Sequence, residues 1–133
     1  MAKTLTYTIS LLLATLLCLL TTSQAHIKIH IVGGSYGWKI PPTTTFYQDW
    51  AKNQTFLVGD KLMFLYTSGL QNVVVGSTED DFATCQQKNV VDILYQGPSI
   101  AELTEAGTHY YYCSVGLHCE GGQKLKINVN ASA

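Results

Sequence analysis

Short apolar segments separated by turn residues divide most of this chain and restrict what it can fold into. Eight segments have the length and alternation of β-strands, and they cover residues 27–32, 55–58, 60–67, 72–75, 90–94, 100–103, 108–114 and 123–129. The first is predicted to be an edge strand with its isoleucines on one side. In the last, Leu125, Ile127 and Val129 are predicted to face inward. Many short strands with little helix predict an all-β fold, either an antiparallel sandwich or a barrel.

Two short helices are predicted to interrupt this pattern. Phe46, Tyr47 and Trp50 have the spacing of core aromatics on a short helical turn. Thr78 is followed by three acidic residues, which is the arrangement of a capping hydroxyl with acids in the first helical turn. We expect this second helix to end near Cys85.

Residues 1–25 are predicted to be a secretory signal peptide. Lys3 is followed by an apolar run over residues 11–20, and Ala25 ends a stretch with small residues at its last and third-last positions. The unbroken apolar run is too short to span a bilayer comfortably, which argues against a membrane anchor. Cleavage is expected after Ala25, which would leave residues 26–133 as one secreted, extracellular domain.

The composition of residues 26–133 excludes one class of partner and fits an extracellular location. Seven lysines, nine acidic residues and no arginine give a formal net charge of −2. Because a nucleic-acid-binding surface needs a basic patch, no nucleic-acid partner is expected. The chain ends without a hydrophobic tail, so neither a GPI anchor nor a transmembrane helix is expected. Asn53-Gln54-Thr55 matches the N-glycosylation sequon, which suits an exported protein. The protein is expected to be a monomer.

An odd number of cysteines remains after export. Cys18 leaves with the signal peptide, so the mature chain contains Cys85, Cys113 and Cys119. Thiols in an oxidising compartment tend to form disulfides, but three cannot all pair within one chain. One cysteine is therefore left for an intermolecular bridge or for chemistry.

Residues 110–123, which read Y-Y-Y-C-S-V-G-L-H-C-E-G-G-Q, contain a candidate metal site. Cys113 ends a predicted strand, and a glycine then allows the turn that brings His118 back toward it. A Gly-Gly pair allows a second turn that returns Gln123 to the same place. A thiolate, an imidazole and a weak axial donor are the ligands that copper takes in proteins. Each residue alone is more often structural, but their combined spacing in an exported β domain predicts a metal site.

Four sequence segments, taken together, match the pattern of a known family. They are V-G-G-S-Y-G-W at 32–38, F-Y-Q-D-W-A at 46–51, F-L-V-G-D-K-L-M-F at 56–64 and C-S-V-G-L-H-C-E-G-G-Q-K-L at 113–125. With them the chain resembles the phytocyanins, the plant blue copper proteins, and is most similar to the stellacyanin branch, over about residues 27–129. The resemblance implies a cupredoxin-like Greek-key β-sandwich of two sheets and a disulfide between Cys85 and Cys119. It also implies copper as cofactor, bound by Cys113 and His118 with Gln123 as the axial ligand.

One ligand position departs from the family pattern. The family has F-x-Y, four further residues and then His-Asn-Val, and that histidine is its first copper ligand. Here Phe64 and Tyr66 are followed by Gln71 in the register of the histidine. A blue copper site needs two imidazoles and a thiolate, and an amide oxygen is a weaker donor to copper than an imidazole. The site is therefore predicted to be altered at Gln71.

No other histidine is expected to replace the missing ligand. His109 lies four residues before Cys113 on the same predicted strand, which is about 13 Å at the rise of a β-strand. His26 and His30 are at the start of the mature chain and have no evident route to the site. Three outcomes follow. The site binds copper weakly or in an altered geometry through Cys113, His118 and Gln123, with Gln71 as a further candidate donor; it binds another ion such as Zn(II); or it is empty, as in copper-free early-nodulin-like relatives. We favour the first.

Three functions compete for this sequence. The first is a secreted one-electron carrier with an unidentified redox partner. The second is a non-redox extracellular protein that binds a wall polymer, a small molecule or another protein on the same scaffold. The third is an enzyme, but the chain shows no nucleophile–base pair or carboxylate pair with assignable geometry. No enzymatic activity is therefore predicted, and the electron carrier is the favoured hypothesis.

Overall fold

The computed structural model describes residues 1–19 and 26–131. Helix α1 spans Ala2–Leu19, and the side chains described in it are exposed. None of the helices in these two ranges combines the length and the apolar character that crossing a bilayer requires. The predicted cleavage position after Ala25 lies outside the described residues. The signal peptide and the domain boundary therefore stay predictions.

Within the described residues, eight strands form two sheets. They are β1 (Ile29–Ile31), β2 (Phe56–Leu57), β3 (Lys61–Phe64), β4 (Val73–Gly76), β5 (Val90–Leu94), β6 (Ser99–Glu102), β7 (Gly107–Tyr112) and β8 (Lys124–Asn130). The smaller sheet has the order β1-β3-β6, and the larger has the order β2-β8-β7-β4-β5. Each strand overlaps its predicted segment, which confirms the all-β, two-sheet prediction.

Two strand pairs are parallel, so the expectation of a purely antiparallel fold was wrong. β1 runs parallel to β3, with Ile29 opposite Lys61, and β2 runs parallel to β8, with Phe56 opposite Val129. The other four pairings between named strands are antiparallel. A parallel pair needs a long crossover, and the connection from β1 to β3 includes helix α2, Phe46–Lys52. Residue alternation reports which side chains share a face but carries no information on strand direction.

Aromatic side chains fill the centre of the fold. The Trp38 ring lies 4.8 Å from the Tyr47 ring and 4.9 Å from the Phe64 ring, centroid to centroid, and Phe64 lies 5.5 Å from Tyr111. Tyr47 belongs to α2 and is fully buried, and the other two aromatics of that helix pack against the core. The three predicted inward-facing residues of β8 are also buried. These contacts confirm the predicted core and give the C-terminal half a rigid base.

The edge position of β1 is confirmed, but its histidine faces the interior and its isoleucines face outward. His30 is 2% exposed, whereas Ile29 is 50% and Ile31 is 43% exposed. The Nε2 atom of His30 lies 2.8 Å from Oδ2 of Asp60, and its Nδ1 lies 3.2 Å from Oε1 of Gln54. Because both ring nitrogens have partners, the buried imidazole does not carry the cost of an unsatisfied polar group.

Helix α3, Glu79–Thr84, connects the sheet to the C-terminal loop. Its predicted cap is confirmed, since the hydroxyl of Thr78 accepts a hydrogen bond of 3.2 Å from the backbone N–H of Asp81. The helix ends at Cys85, which is bonded to Cys119 with a Cα–Cα distance of 5.9 Å. This is the pairing that the resemblance implied, and it leaves Cys113 as a buried thiol.

Candidate metal centre

Main-chain hydrogen bonds give the loop between β7 and β8 its shape. The N–H of His118 donates to the carbonyl of Val115 at 3.1 Å, which closes the first turn. The N–H of Gln123 then donates to the carbonyl of His118 at 2.9 Å, and the N–H of Cys113 donates to the carbonyl of Gln123 at 3.1 Å. The three predicted ligand residues on this loop are therefore connected through their own backbone.

Gly122 allows the loop to lie against the segment before α2. Its φ angle is +104°, and a Cβ atom at this position would lie 2.6 Å from the Cα of Thr44. A side chain would therefore clash with backbone atoms and would also be strained at this φ. The second glycine of the Gly-Gly pair is thus required for the close approach that places Gln123 in the core.

Asn72 holds the end of the loop connecting β3 to β4 against the ligand loop. Its side-chain Nδ2 donates to the hydroxyl of Ser114 at 2.8 Å, and its Oδ1 accepts from the backbone N–H of Ser114 at 2.8 Å. Its backbone carbonyl accepts a hydrogen bond of 2.8 Å from the indole N–H of Trp38. These bonds fix the position of Gln71, the preceding residue. Sequence reasoning missed this role, for which the only signal was a polar residue directly before an apolar strand.

Gln71, Cys113 and His118 converge on one point. The Sγ atom of Cys113 lies 3.6 Å from Nδ1 of His118. Oε1 of Gln71 lies 2.8 Å from the same Nδ1 and 3.6 Å from the Sγ atom. The structure therefore brings together a thiol, an imidazole and an amide that are separated by up to 47 residues in sequence.

Gln123 lies in the core with an unpaired amide. The residue is 0% exposed, and neither Oε1 nor Nε2 of its side chain has a hydrogen-bond partner. Most buried polar groups in proteins are hydrogen-bonded, so a buried amide without a partner calls for an explanation such as a role in ligand binding. A metal ion bound beside the Cys113 sulfur is such a ligand, because an amide oxygen is a known weak axial donor to copper.

The environment of Cys113 favours the neutral thiol until a cation is present. Burial raises the pKa of the Cys113 thiol, although backbone hydrogen bonds from Asn72 and Val115 act in the opposite direction. A bound metal ion reverses this preference, because it stabilises the thiolate as a ligand. The thiol is therefore suited to a metal ligand in a closed site rather than to a nucleophile open to solvent.

The other histidines do not complete the site. Nε2 of His109 donates to the carbonyl of Glu105 at 2.7 Å, and His30 is paired with Asp60 inside the sandwich. His26 is exposed. Among residues 1–19 and 26–131, no group of three or more His, Cys, Asp or Glu side chains is arranged to hold a metal ion. The candidate centre therefore consists of one thiol, one imidazole and the two amides of Gln71 and Gln123.

These donors fit copper better than the hard divalent ions. Copper in both oxidation states takes thiolate and imidazole ligands, whereas magnesium and calcium prefer an all-oxygen shell. The unpaired amide of Gln123 supplies a further donor that has no other partner. The residues therefore fit a copper ion, with Cys113 and His118 as the strong ligands and the amide of Gln123 as a weak one.

Comparison with known proteins gives consistent matches. Residues 38–123 match a family profile described as a plastocyanin-like domain. Cucumber peeling cupredoxin from Cucumis sativus is 43% identical over 105 residues, which cover 78% of this chain and 77% of that protein. Stellacyanin from Toxicodendron vernicifluum is 36% identical over 107 residues, covering 76% of this chain and 95% of that protein. The chain spans about half the length of two matched blue copper proteins, 53% of the one from Pisum sativum and 51% of the one from Arabidopsis thaliana.

Among solved structures, cucumber stellacyanin with Cu2+ at pH 7.0 superposes with a TM-score of 0.73 at 39% sequence identity. The match covers 81% of this chain and 100% of that one. It confirms the cupredoxin-like sandwich of two sheets that the sequence predicts.

Proposed function

The chain belongs to the phytocyanin family of plastocyanin-like copper proteins, and on that premise we propose that it is a secreted one-electron carrier with an altered type 1 copper site. The family as a whole supports copper as cofactor and electron transfer as activity. The ligand set is our assignment: Cys113, His118 and Gln123, with Gln71 where relatives of this type have a histidine. One observation carries the proposal, namely the convergence of the Cys113 sulfur and the His118 imidazole to 3.6 Å on a loop that also contains the buried, unpaired amide of Gln123.

Each residue of the site has a separate task in this proposal. The Cys113 sulfur and Nδ1 of His118 would bind the ion, and the Gln123 oxygen, which has no hydrogen-bond partner, would be the weak axial ligand. Bound copper would supply a centre that accepts and releases a single electron. The loop is tied by its own backbone and stands on a close-packed aromatic core, so the ligands move little when the charge of the centre changes.

His118 also provides the route by which an electron would enter or leave. Its side chain is half-buried, and the neighbouring Leu117 is 77% exposed. Because Nδ1 is directed at the site, we assign the opposite edge of the ring as the part that faces solvent. We place the contact with a redox partner at this edge, and we expect the protein to act as a monomer without enzymatic activity.

Export and glycosylation complete the proposal. The basic start and apolar run of residues 1–25 support a cleaved signal peptide and a location in the apoplast or cell wall. Asn53 directly follows α2 and is exposed, so its side chain is accessible to glycosylation. Mass spectrometry of the secreted protein tests both points, through its N-terminal residue and the mass of the peptide that contains Asn53.

A second function is favoured by one specific residue. Gln71 removes an imidazole from the ligand set, which weakens any copper site built here. A non-redox extracellular protein, binding a wall polymer, a small molecule or another protein on the same scaffold, is therefore the alternative to the electron carrier.

Copper addition separates the two functions. Adding Cu(II) to the purified secreted protein is expected to give an intense visible thiolate-to-copper absorption band and a reversible one-electron wave. Gln71→His is the control, because it restores the ligand of the family and should give a strongly blue protein. A wild-type protein that stays colourless and redox-silent while Gln71→His turns blue would favour the non-redox alternative. If neither protein binds copper, the proposed site itself is wrong.

A further inference from the structure

The two glutamines of the site are in opposite states. The amide of Gln123 is buried without a partner, whereas Oε1 of Gln71 contacts both strong ligands, at 2.8 Å from Nδ1 of His118 and 3.6 Å from Sγ of Cys113. The same functional group therefore has two different relations to the site. The amide of Gln123 has no hydrogen-bond partner, whereas the amide oxygen of Gln71 occupies the hydrogen-bonding groups of His118 and Cys113.

The contact between Gln71 and His118 determines which ring nitrogen carries hydrogen. An amide oxygen only accepts hydrogen bonds, so at 2.8 Å the Nδ1 atom of His118 is the donor. A neutral imidazole with hydrogen on Nδ1 has its lone pair on Nε2. The ring nitrogen that faces Cys113 therefore has no lone pair for a metal ion as long as this hydrogen bond persists.

The backbone on either side keeps Gln71 in place. A bridge pairs Gln71 with Ser68, and Asn72 is bonded through its side chain to Ser114 and through its carbonyl to Trp38. The side chain of Gln71 is only half-buried, so it can still rotate toward solvent. Because the main chain at Gln71 is fixed and the side chain is partly exposed, the amide can rotate away from His118 and back without a change in the loop.

We propose that Gln71 is a positioning residue that closes the metal-free site, because its amide oxygen competes with copper for the Nδ1 atom of His118 and the sulfur of Cys113. This inference rests on the proposed function and assigns Gln71 the role of a competitor rather than a ligand. Loading the site then requires the amide to turn away and the ring hydrogen to move from Nδ1 to Nε2, with no change in the number of protons on the ring. The thiol of Cys113 releases its proton to solvent when the sulfur binds the ion as a thiolate. The contact between Gln71 and His118 therefore orders the site before copper binds and competes with copper binding.

The competitor role and the ligand role predict opposite effects of removing the amide. Gln71→Leu keeps nearly the same volume but can neither accept a hydrogen bond nor bind a metal. If Gln71 competes, this variant binds copper more tightly than wild type, by roughly two- to tenfold, which corresponds to one net hydrogen bond. If Gln71 is a ligand, the variant binds copper more weakly.

The experiment measures Cu(I) affinity by competition with a chromophoric chelator for wild type, Gln71→Leu and Gln71→Ala. The expected result is tighter binding for both variants, and Gln87→Leu, at an exposed glutamine that is not among the candidate ligands, serves as the matched control with unchanged affinity. Equal or weaker binding by the two Gln71 variants, when wild type binds copper, overturns the inference and leaves the proposed function intact. If no variant binds copper, including Gln71→His, the proposed function fails, and the inference fails with it.

A second measurement tests the inference on the metal-free protein. Nitrogen-15 NMR distinguishes a ring nitrogen that carries hydrogen from one that does not. His118 is expected to carry hydrogen on Nδ1 in wild type and to shift toward the Nε2 form in Gln71→Leu. A wild-type ring with hydrogen only on Nε2 would show that the amide does not hold Nδ1, which overturns the inference without any use of metal.

Discussion

At the scale of single residues, Gln123 shows a conflict between stability and ligand binding. Its side chain is fully buried next to the β8 strand, yet neither amide atom has a partner. An unsatisfied buried polar group costs roughly 1–3 kcal/mol of stability. A hydrophobic residue of similar volume would avoid that cost. A ligand that completes the bonding of its amide accounts for a glutamine at this position.

This conflict predicts that Gln123→Leu stabilises the metal-free protein. Leucine fills nearly the same space without an unpaired amide, so the free energy of unfolding is expected to rise by about 1–3 kcal/mol. Urea unfolding of both proteins in the presence of a chelator measures the difference. The same variant is expected to bind copper more weakly than wild type. A metal-free variant that is less stable than wild type would mean that the amide of Gln123 is satisfied in solution.

The sequence predicted which residues meet at the site but not how they are paired. The spacing on one loop was enough to predict that Cys113 and His118 approach each other, and the family register pointed to Gln71. The place of Gln123 in the ligand set stays a prediction. Spacing could not predict that Gln71 would bond to His118 while Gln123 stayed unpaired. Those contacts depend on side-chain rotation within a packed interior, and they also depend on Asn72, which lies 42 residues from its partner Ser114.

At the scale of elements, Asp60 directly precedes β3 and connects this strand to β1 and β2. Its carboxylate is 2.8 Å from Nε2 of His30, and it accepts hydrogen bonds from the backbone N–H groups of Lys28 at 3.3 Å and Leu57 at 3.1 Å. These partners lie on or next to β1 and β2, in different sheets. Burial alone would raise the pKa of Asp60, but the hydrogen bonds outweigh this effect and lower the pKa below its ordinary value. The carboxylate is thus stabilised in its charged form by the fold.

We therefore expect Asp60 to make stability depend on pH in the acid range. Its unfolded pKa is about 3.9 and its folded pKa is lower, so the unfolded state takes up a proton first as the pH falls. The stabilisation is fully present above the unfolded value and is lost as the pH drops through the folded value. Asp60→Asn should lower stability at neutral pH and flatten the decline of unfolding free energy between about pH 5 and pH 2.5. The unfolding free energy of both proteins is measured by urea titration at each pH. If the two values fall in parallel as the pH is lowered, this prediction is wrong.

Most elements could be predicted from sequence, and the errors have a common cause. The alternation in β8 and the cap of α3 are local signals, and both were confirmed. The alternation in β1 correctly placed its isoleucines on one side but did not predict which side faces the interior. They face outward because Asp60 and Gln54 supply partners for His30 in the interior. Pairing across about thirty residues of chain also set the parallel direction of β1 and β3. Local patterns contain no information on such distant partners.

At the scale of the whole molecule, the disulfide connects the two regions that surround the site. Cys85 follows α3 directly, and Cys119 is the neighbour of the ligand His118, so the bond joins the helix to the ligand loop. The two cysteines are separated by 34 residues in sequence. Closing a loop of that length restricts the unfolded chain strongly, which stabilises the folded one.

Removing this bond is expected to destabilise the whole domain rather than the loop alone. The variant Cys85→Ala with Cys119→Ala should lose about 4 kcal/mol of unfolding free energy, the value expected for a loop of this size. The double variant avoids a new free thiol that would compete with Cys113. Urea unfolding of the metal-free proteins measures the loss, and a change below about 1 kcal/mol would show that the unfolded chain is already compact around this loop.

The backbone closure of the ligand loop has a consequence for how such proteins can diversify. β7 and β8 pair continuously from Gly107 opposite Val129 to Tyr112 opposite Lys124, so the sheet sets both ends of the loop. Between those ends, the turn at His118 and the return at Gln123 are made by the loop's own peptide groups. The segment is therefore an exchangeable cassette. Replacing its other residues while keeping Cys119 and Gly122 would change which ion is bound, and the two sheets would keep their resistance to heat and denaturant.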